Sequence, residues 1–102
     1  MARTIRWSPE ALDDLDEIAA FIGRDSPMRA RAVVARLFEA ADSLAELSER
    51  GRHVPELGRT DMREVFVHNY RVLYRVEPNL VVVSAVIHGS RLLDPDIGSR
   101  GT

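Results

Sequence analysis

Between residues 52 and 91 the chain carries Arg52, Glu56, Arg63, Arg71, Arg75, His88 and Arg91 among β-branched and aromatic residues. Arginine is a permanently charged planar fork that meets phosphate or carboxylate in bidentate fashion. Arg71 and Arg75 share one face of an extended segment, so the pair could clamp a phosphate or an acidic peptide. The same pair could equally belong to a solvated sheet face with cross-strand ion pairs, for example to Glu64. His88 closes the last apolar run beside Gly89. An imidazole there can donate a proton near neutral pH, or simply hydrogen-bond at a strand end. Glu56 stands in VPEL between Arg52 and Arg59, where it can be an ion-pair partner or a base toward a ribose hydroxyl. The residues themselves leave these readings open.

Other chemistries are excluded more firmly. The chain has no cysteine, and His53, His68 and His88 show no metal-ligand spacing, so no zinc site is expected. There is no glycine-rich phosphate loop, no GxSxG and no HExxH, and no cofactor is expected. The aromatic residues are too dispersed for a base-stacking platform.

The whole sequence of 102 residues is 45% hydrophobic and 29% charged, which predicts one globular domain over 1–102. The net charge of −2 conceals a balance of −4 over residues 1–49 and +2 over 50–102. That near-neutral total argues against broad coating of nucleic acid and leaves room for a local anion site. No apolar run reaches the length of a membrane span and the first twenty residues are acidic and amphipathic, so a cytoplasmic protein is expected.

These side chains need a scaffold. RTIRW (3–7) predicts a short strand. Ser8-Pro9 and Ser26-Pro27 each supply an N-cap followed by proline at the first helical position. Leu12, Leu15, Ile18 and Ile22 recur at helical spacing in the first segment; Val33, Val34, Leu37, Phe38, Ala41, Leu44 and Leu47 extend the second toward Gly51. Joined by about four residues, the two helices should form an antiparallel hairpin. Leu37 and Phe38 are expected to be buried against a sheet. The stretch 51–62 is turn-rich. Strands are expected at 62–67, 70–77 and 80–88, with His68-Asn69 and Pro78-Asn79 as tight turns enforcing antiparallel pairing. LVVVSAVI is apolar on both faces and should lie centrally or under the helices. The predicted fold is α+β, in the order β-α-α-β-β-β, with a helical hairpin on one face of a small, mainly antiparallel sheet. The other face should carry the arginines, and residues 93–102 should fray.

Taken in order, WSPEALDDLDEIAAFI, GRHVPELG, REVF, NYRVLYRV and the closing HGSR resemble the RelE/ParE superfamily of bacterial toxins, over about residues 3–91. The resemblance implies the toxin of a type II toxin–antitoxin pair. Its partner would be a cognate antitoxin that wraps it with a helix and an extended segment in a hetero-oligomer. The VPELG, YRVLYRV and HGxR segments are most similar to the ParE-like branch, which implies a non-enzymatic inhibitor with DNA gyrase as target. The lysines used by RelE-like nucleases are absent, since the chain has none, and Gly89 and Ser90 stand where those enzymes carry a tyrosine. The alternative is a ribosome-dependent mRNA endoribonuclease of the RelE/YoeB type. There Glu56 would deprotonate the 2′-hydroxyl, Arg71 would hold the scissile phosphate and His88 would protonate the leaving oxygen. Arg52, Arg63, Arg71, Arg75 and Arg91, together with Val34 and Phe38 on the second helix, are the expected contacts to target or antitoxin.

Overall fold

The two serine-proline signals start helices where expected. In the computed structural model, which describes residues 2–91, 93 and 95–100, strand β1 spans Thr4–Trp7 and helix α1 spans Pro9–Gly23. Ser8 Oγ accepts the Ala11 N–H at 3.0 Å. Helix α2 spans Pro27–Ser43, and Ser26 Oγ accepts the Arg29 N–H at 3.1 Å. Each cap satisfies one of the amide donors that a helix start leaves without an intrahelical partner.

The second helix stops at Ser43 rather than running toward Gly51. Ser43 Oγ donates back to the Ala40 carbonyl at 2.6 Å, a local bond that competes with helix continuation. The next amides tighten into three-residue turns, with Leu44 N–H on Ala41 O and Ala45 N–H on Asp42 O. Leu44 is still fully buried, whereas Leu47 faces solvent.

Strands β2 (Arg52–His53), β3 (Met62–Val67), β4 (Tyr70–Glu77) and β5 (Leu80–His88) complete an α+β fold. The sheet order is β1-β5-β4-β3-β2. Every pairing is antiparallel except β1 with β5, which run parallel. Strand β2 lies within the turn-rich stretch 51–62 and adds a strand to the expected order.

The helical hairpin covers one face through Leu15, Leu37, Ala41 and Leu44, packed on Val72, Tyr74, Val81 and Val83. Tyr74 is wholly buried there; its hydroxyl donates to Ser48 O at 2.8 Å and accepts from Gly51 N–H at 3.0 Å. Leu73 pairs with Ala85 but Tyr74 pairs with Val83, which leaves Ser84 as a one-residue bulge in β5. The bulge inverts the alternation: Val83 and Val86 face the helices, while Ala85 and Ile87 face away.

The opposite face departs from expectation. Between its arginines lies a second apolar core of Val54, Met62, Leu73, Ala85, Ile87 and Ile97. Ile97 belongs to a short 3-10 helix, Pro95–Ser99. The segment expected to fray is therefore docked over its described residues, and Arg100 adds an ion pair to Asp14 at 2.9 Å. Residues 101 and 102 lie outside the described residues.

Phe38 is the other correction. Leu37 is fully buried, but Phe38 is 38% exposed and rests its ring 4.9 Å from that of Trp7. One residue of helix is a rotation of about 100°, enough to carry Phe38 off the core-facing stripe. Leu37→Ala should cost about 2–5 kcal/mol in urea denaturation. Phe38→Ala should cost only about 1 kcal/mol, the scale of an aromatic pair. Equal costs would contradict this placement of α2.

Candidate functional site

The helix-free face gathers three of the candidate residues, Arg52, Glu56 and Arg71, into one network around Glu64. Alternation along β3 puts Met62, Glu64 and Phe66 on that face, and alternation along β4 puts Arg71 there. Glu64 has a completely buried side chain. One of its oxygens accepts the Arg71 Nε–H, and the other accepts the Arg52 Nε–H at 2.6 Å. Arg71 turns its remaining nitrogens to Glu56, with Nη1 to Oε2 at 2.7 Å and Nη2 to Oε1 at 2.9 Å. Every nitrogen of the Arg71 guanidinium thus donates to a carboxyl oxygen, and the residue is only 4% exposed. Arg52 lies outermost, with its guanidinium carbon 5.2 Å from the centre of the exposed Phe66 ring.

The electrostatics follow from this geometry. The bidentate bond from Arg71 is the main cause that lowers the Glu56 pKa to about 2, against partial desolvation that opposes it. The same bond, with that of Glu64, raises Arg71 further above its ordinary value. A buried guanidinium is tolerated only when its donors are matched. Glu64 and Glu56 match it here with one bond at each nitrogen.

The remaining sequence-predicted residues do not converge on this network. Arg63 Nη1 donates to Gly51 O at 2.7 Å and ties β3 to the end of the α2–β2 connection. Arg75 is 6% exposed and pairs with Glu77 at 3.0 Å. For Arg71 and Arg75 the sequence left open an anion clamp or a solvated sheet face with cross-strand ion pairs such as one to Glu64; the Arg71–Glu64 pair forms, but both arginines are buried rather than solvated. Arg59 pairs with Asp61 at 2.7 Å, so it does not flank Glu56 as the sequence suggested.

His88 lies opposite Tyr70 in the β4–β5 register, while Arg71 lies opposite Ile87. Adjacent positions on a strand face opposite ways, so His88 looks to the helical side. Its Nδ1 is 2.7 Å from Ser90 Oγ, and its ring meets Tyr70 edge-on at 5.8 Å. It shares a cleft there with Phe21 and Arg91. Glu56 and Arg71 are therefore together, and His88 is on the other face.

Val34 and Phe38 border a groove of ≈320 Å³ along the outer seam of the two helices, with Leu12 and Ala19. Among the described residues no group of His, Asp or Glu is arranged to hold a metal ion, and no helix is long and apolar enough to cross a membrane. Glu64 is the residue that sequence reasoning undervalued. Its signal was period-two spacing from Met62 and Phe66, which puts an acid on an otherwise apolar strand face.

The family model described as the ParE toxin of the type II toxin–antitoxin system parDE matches residues 5–93. "Toxin RelE2" of Caulobacter vibrioides is 42% identical over 93 residues, covering 90% of this chain and all of that one. The fold is also that of a chain in the chromosomal ParDE toxin–antitoxin system of P. aeruginosa. The TM-score is 0.71 at 18% identity, covering 85% of this chain and 96% of that one. A chain of the RelBE2 toxin–antitoxin complex of Mycobacterium tuberculosis gives 0.64 at 24% identity, covering 86% and 99%. This chain belongs to the ParE toxin family of type II toxin–antitoxin systems.

The lowered Glu56 pKa makes its ion pair pH-sensitive in a defined direction. A carboxyl whose pKa falls on folding stabilises the native state above its unfolded value of 4.5, and that contribution is lost as pH drops toward about 2. The side chain is 45% exposed, so the effect is a screened fraction of the full linkage. Glu56→Gln should give a shallower loss of melting temperature across that window than the native chain. Parallel curves for the two proteins would show that the Arg71 bond contributes nothing.

Proposed function

We propose that this toxin arrests growth by binding its target rather than by cutting RNA, and that the target is DNA gyrase. The observation that carries the reading is the closed Glu56–Arg71–Glu64 network. A general base works best with a pKa near the operating pH, and Glu56 sits near 2. Each nitrogen of Arg71 already donates to a carboxyl group, and both Nη atoms are held by Glu56, so a phosphate on the Arg71 fork would have to displace Glu56 or share the two N–H bonds left beside it. His88, the third residue a nuclease would need, lies on the opposite face. The absence of lysine from the chain agrees with this. A binding toxin needs neither a base nor an acid.

The partner follows from surface supply. Arg71 and Arg75 are buried, so an antitoxin finds its purchase on the seam between α1 and α2, where Leu12 and Phe38 are exposed. An amphipathic antitoxin helix laid in that groove would use the exposed apolar residues as anchors.

The test is induction of the toxin alone, together with purified assays. The toxin should inhibit gyrase supercoiling or trap cleaved DNA and leave mRNA on programmed ribosomes intact. Phe38→Asp should stay toxic while antitoxin no longer rescues growth. Codon-specific mRNA cleavage abolished by His88→Ala would replace this reading with the endoribonuclease one. Full rescue of Phe38→Asp would move the antitoxin elsewhere.

A further inference from the structure

A second cleft, of ≈490 Å³, opens where the start of α2 approaches the β3–β4 turn. Arg29, Arg36, His68 and His88 line it, Asn69 and Tyr70 add polar atoms, and no acidic residue does. Arg29 and Arg36 are two helical turns apart on one face of α2. No carboxylate pairs with either side chain among the described residues. Arg52, Arg59, Arg71, Arg75 and Arg100 each pair with an acid, and Arg3, Arg50 and Arg63 donate to hydroxyl or carbonyl oxygens of the chain. The nearest acids line neighbouring clefts instead: Asp14, taken up by Val86 N–H and Arg100, and Glu17 lie beyond Phe21, and Glu39 lies beyond Arg36 and His68 beside Arg50.

The β3–β4 turn fixes the position of His68. His68 has φ 54°, the left-handed conformation that the first residue of a two-residue hairpin turn takes and that His adopts more often than most residues. The turn places His68 on the lining of the cleft together with Arg29 and Arg36. The other end of the cleft is apolar, with Ile22, Val33 and the 67% exposed Phe21.

We infer that this cleft binds a phosphate group carried on a nucleoside, with Arg29, Arg36 and His68 on the phosphate and the base against Phe21 and Tyr70. Its size is within the range of small-ligand sites. A monoester phosphate has the oxygens to meet both forks and an imidazole N–H together. The cleft is separate from the Arg71 network and does not depend on the identity of the toxin's target.

Calorimetric titration of the purified full chain tests the assignment. Adenosine 5′-monophosphate is compared with adenosine, and a 5′-phosphorylated pentanucleotide with its 5′-hydroxyl counterpart. A phosphate-dependent gain of about tenfold or more in either pair supports the site; the pair that shows it tells whether the source is a free nucleotide or a strand end. Arg36→Gln and His68→Asn should each abolish the gain. Both positions are exposed, and asparagine suits the turn, so both variants should melt at or above the native temperature. No gain in either pair, or a gain that survives both substitutions, overturns the inference.

Discussion

A carboxyl group with no contact to water is stable in a protein this small only if both oxygens are met by donors, and Glu64 imposes that demand on the whole helix-free face. Arg71 from β4 and Arg52 from β2 answer it. Arg71, once buried, must place its other nitrogens, and Glu56 receives them. That last bond holds the turn-rich segment after β2 against the sheet, beside Val54 of the second core. Removing one member of such a chain leaves a buried charge exposed to no partner, which typically costs about 3–5 kcal/mol. The network is thus as much a fastening as the apolar core beside it.

This constraint redistributes the functional surface. The arginines with the most suggestive spacing are consumed in holding the sheet, and the side chains left over lie around the helices. The interhelical groove offers apolar area at Leu12 and Phe38. The cleft beside the β3–β4 turn offers cations without acids. An apolar seam and an anion-receptive cleft can be occupied by different partners, since no residue lines both.

Local signals carried well from sequence to structure, because they act over a few residues. Ser8-Pro9 and Ser26-Pro27 start the helices, His68-Asn69 and Pro78-Asn79 turn the strands, and Val81–Ile87 is buried throughout. Features that depend on distant packing were not readable. Period-two alternation says that Arg71 and Glu64 share a face, but not that residues 54–57 and 97 will cover it. The bulge at Ser84 inverts the facing of β5 without any glycine to announce it. Ile97, amid Pro, Asp and Gly, looks like tail composition until the second core claims it. The resemblance to the toxin family identified Glu56, Arg71 and His88 by type. Only the register shows that the third faces away from the other two.

The central claim is that Arg71 serves the fold and not the target. It is tested most directly by replacing the pair with apolar residues of similar size, Glu64→Leu together with Arg71→Met, a change that buried ion pairs often tolerate without loss of stability. The measurement is growth inhibition on induction, alongside the circular dichroism melt of the purified double variant. The account predicts a cooperatively folded protein that still arrests growth and is still rescued by its antitoxin. A double variant that folds and melts like the native chain yet no longer inhibits growth would contradict it, and would return Arg71 to the target site.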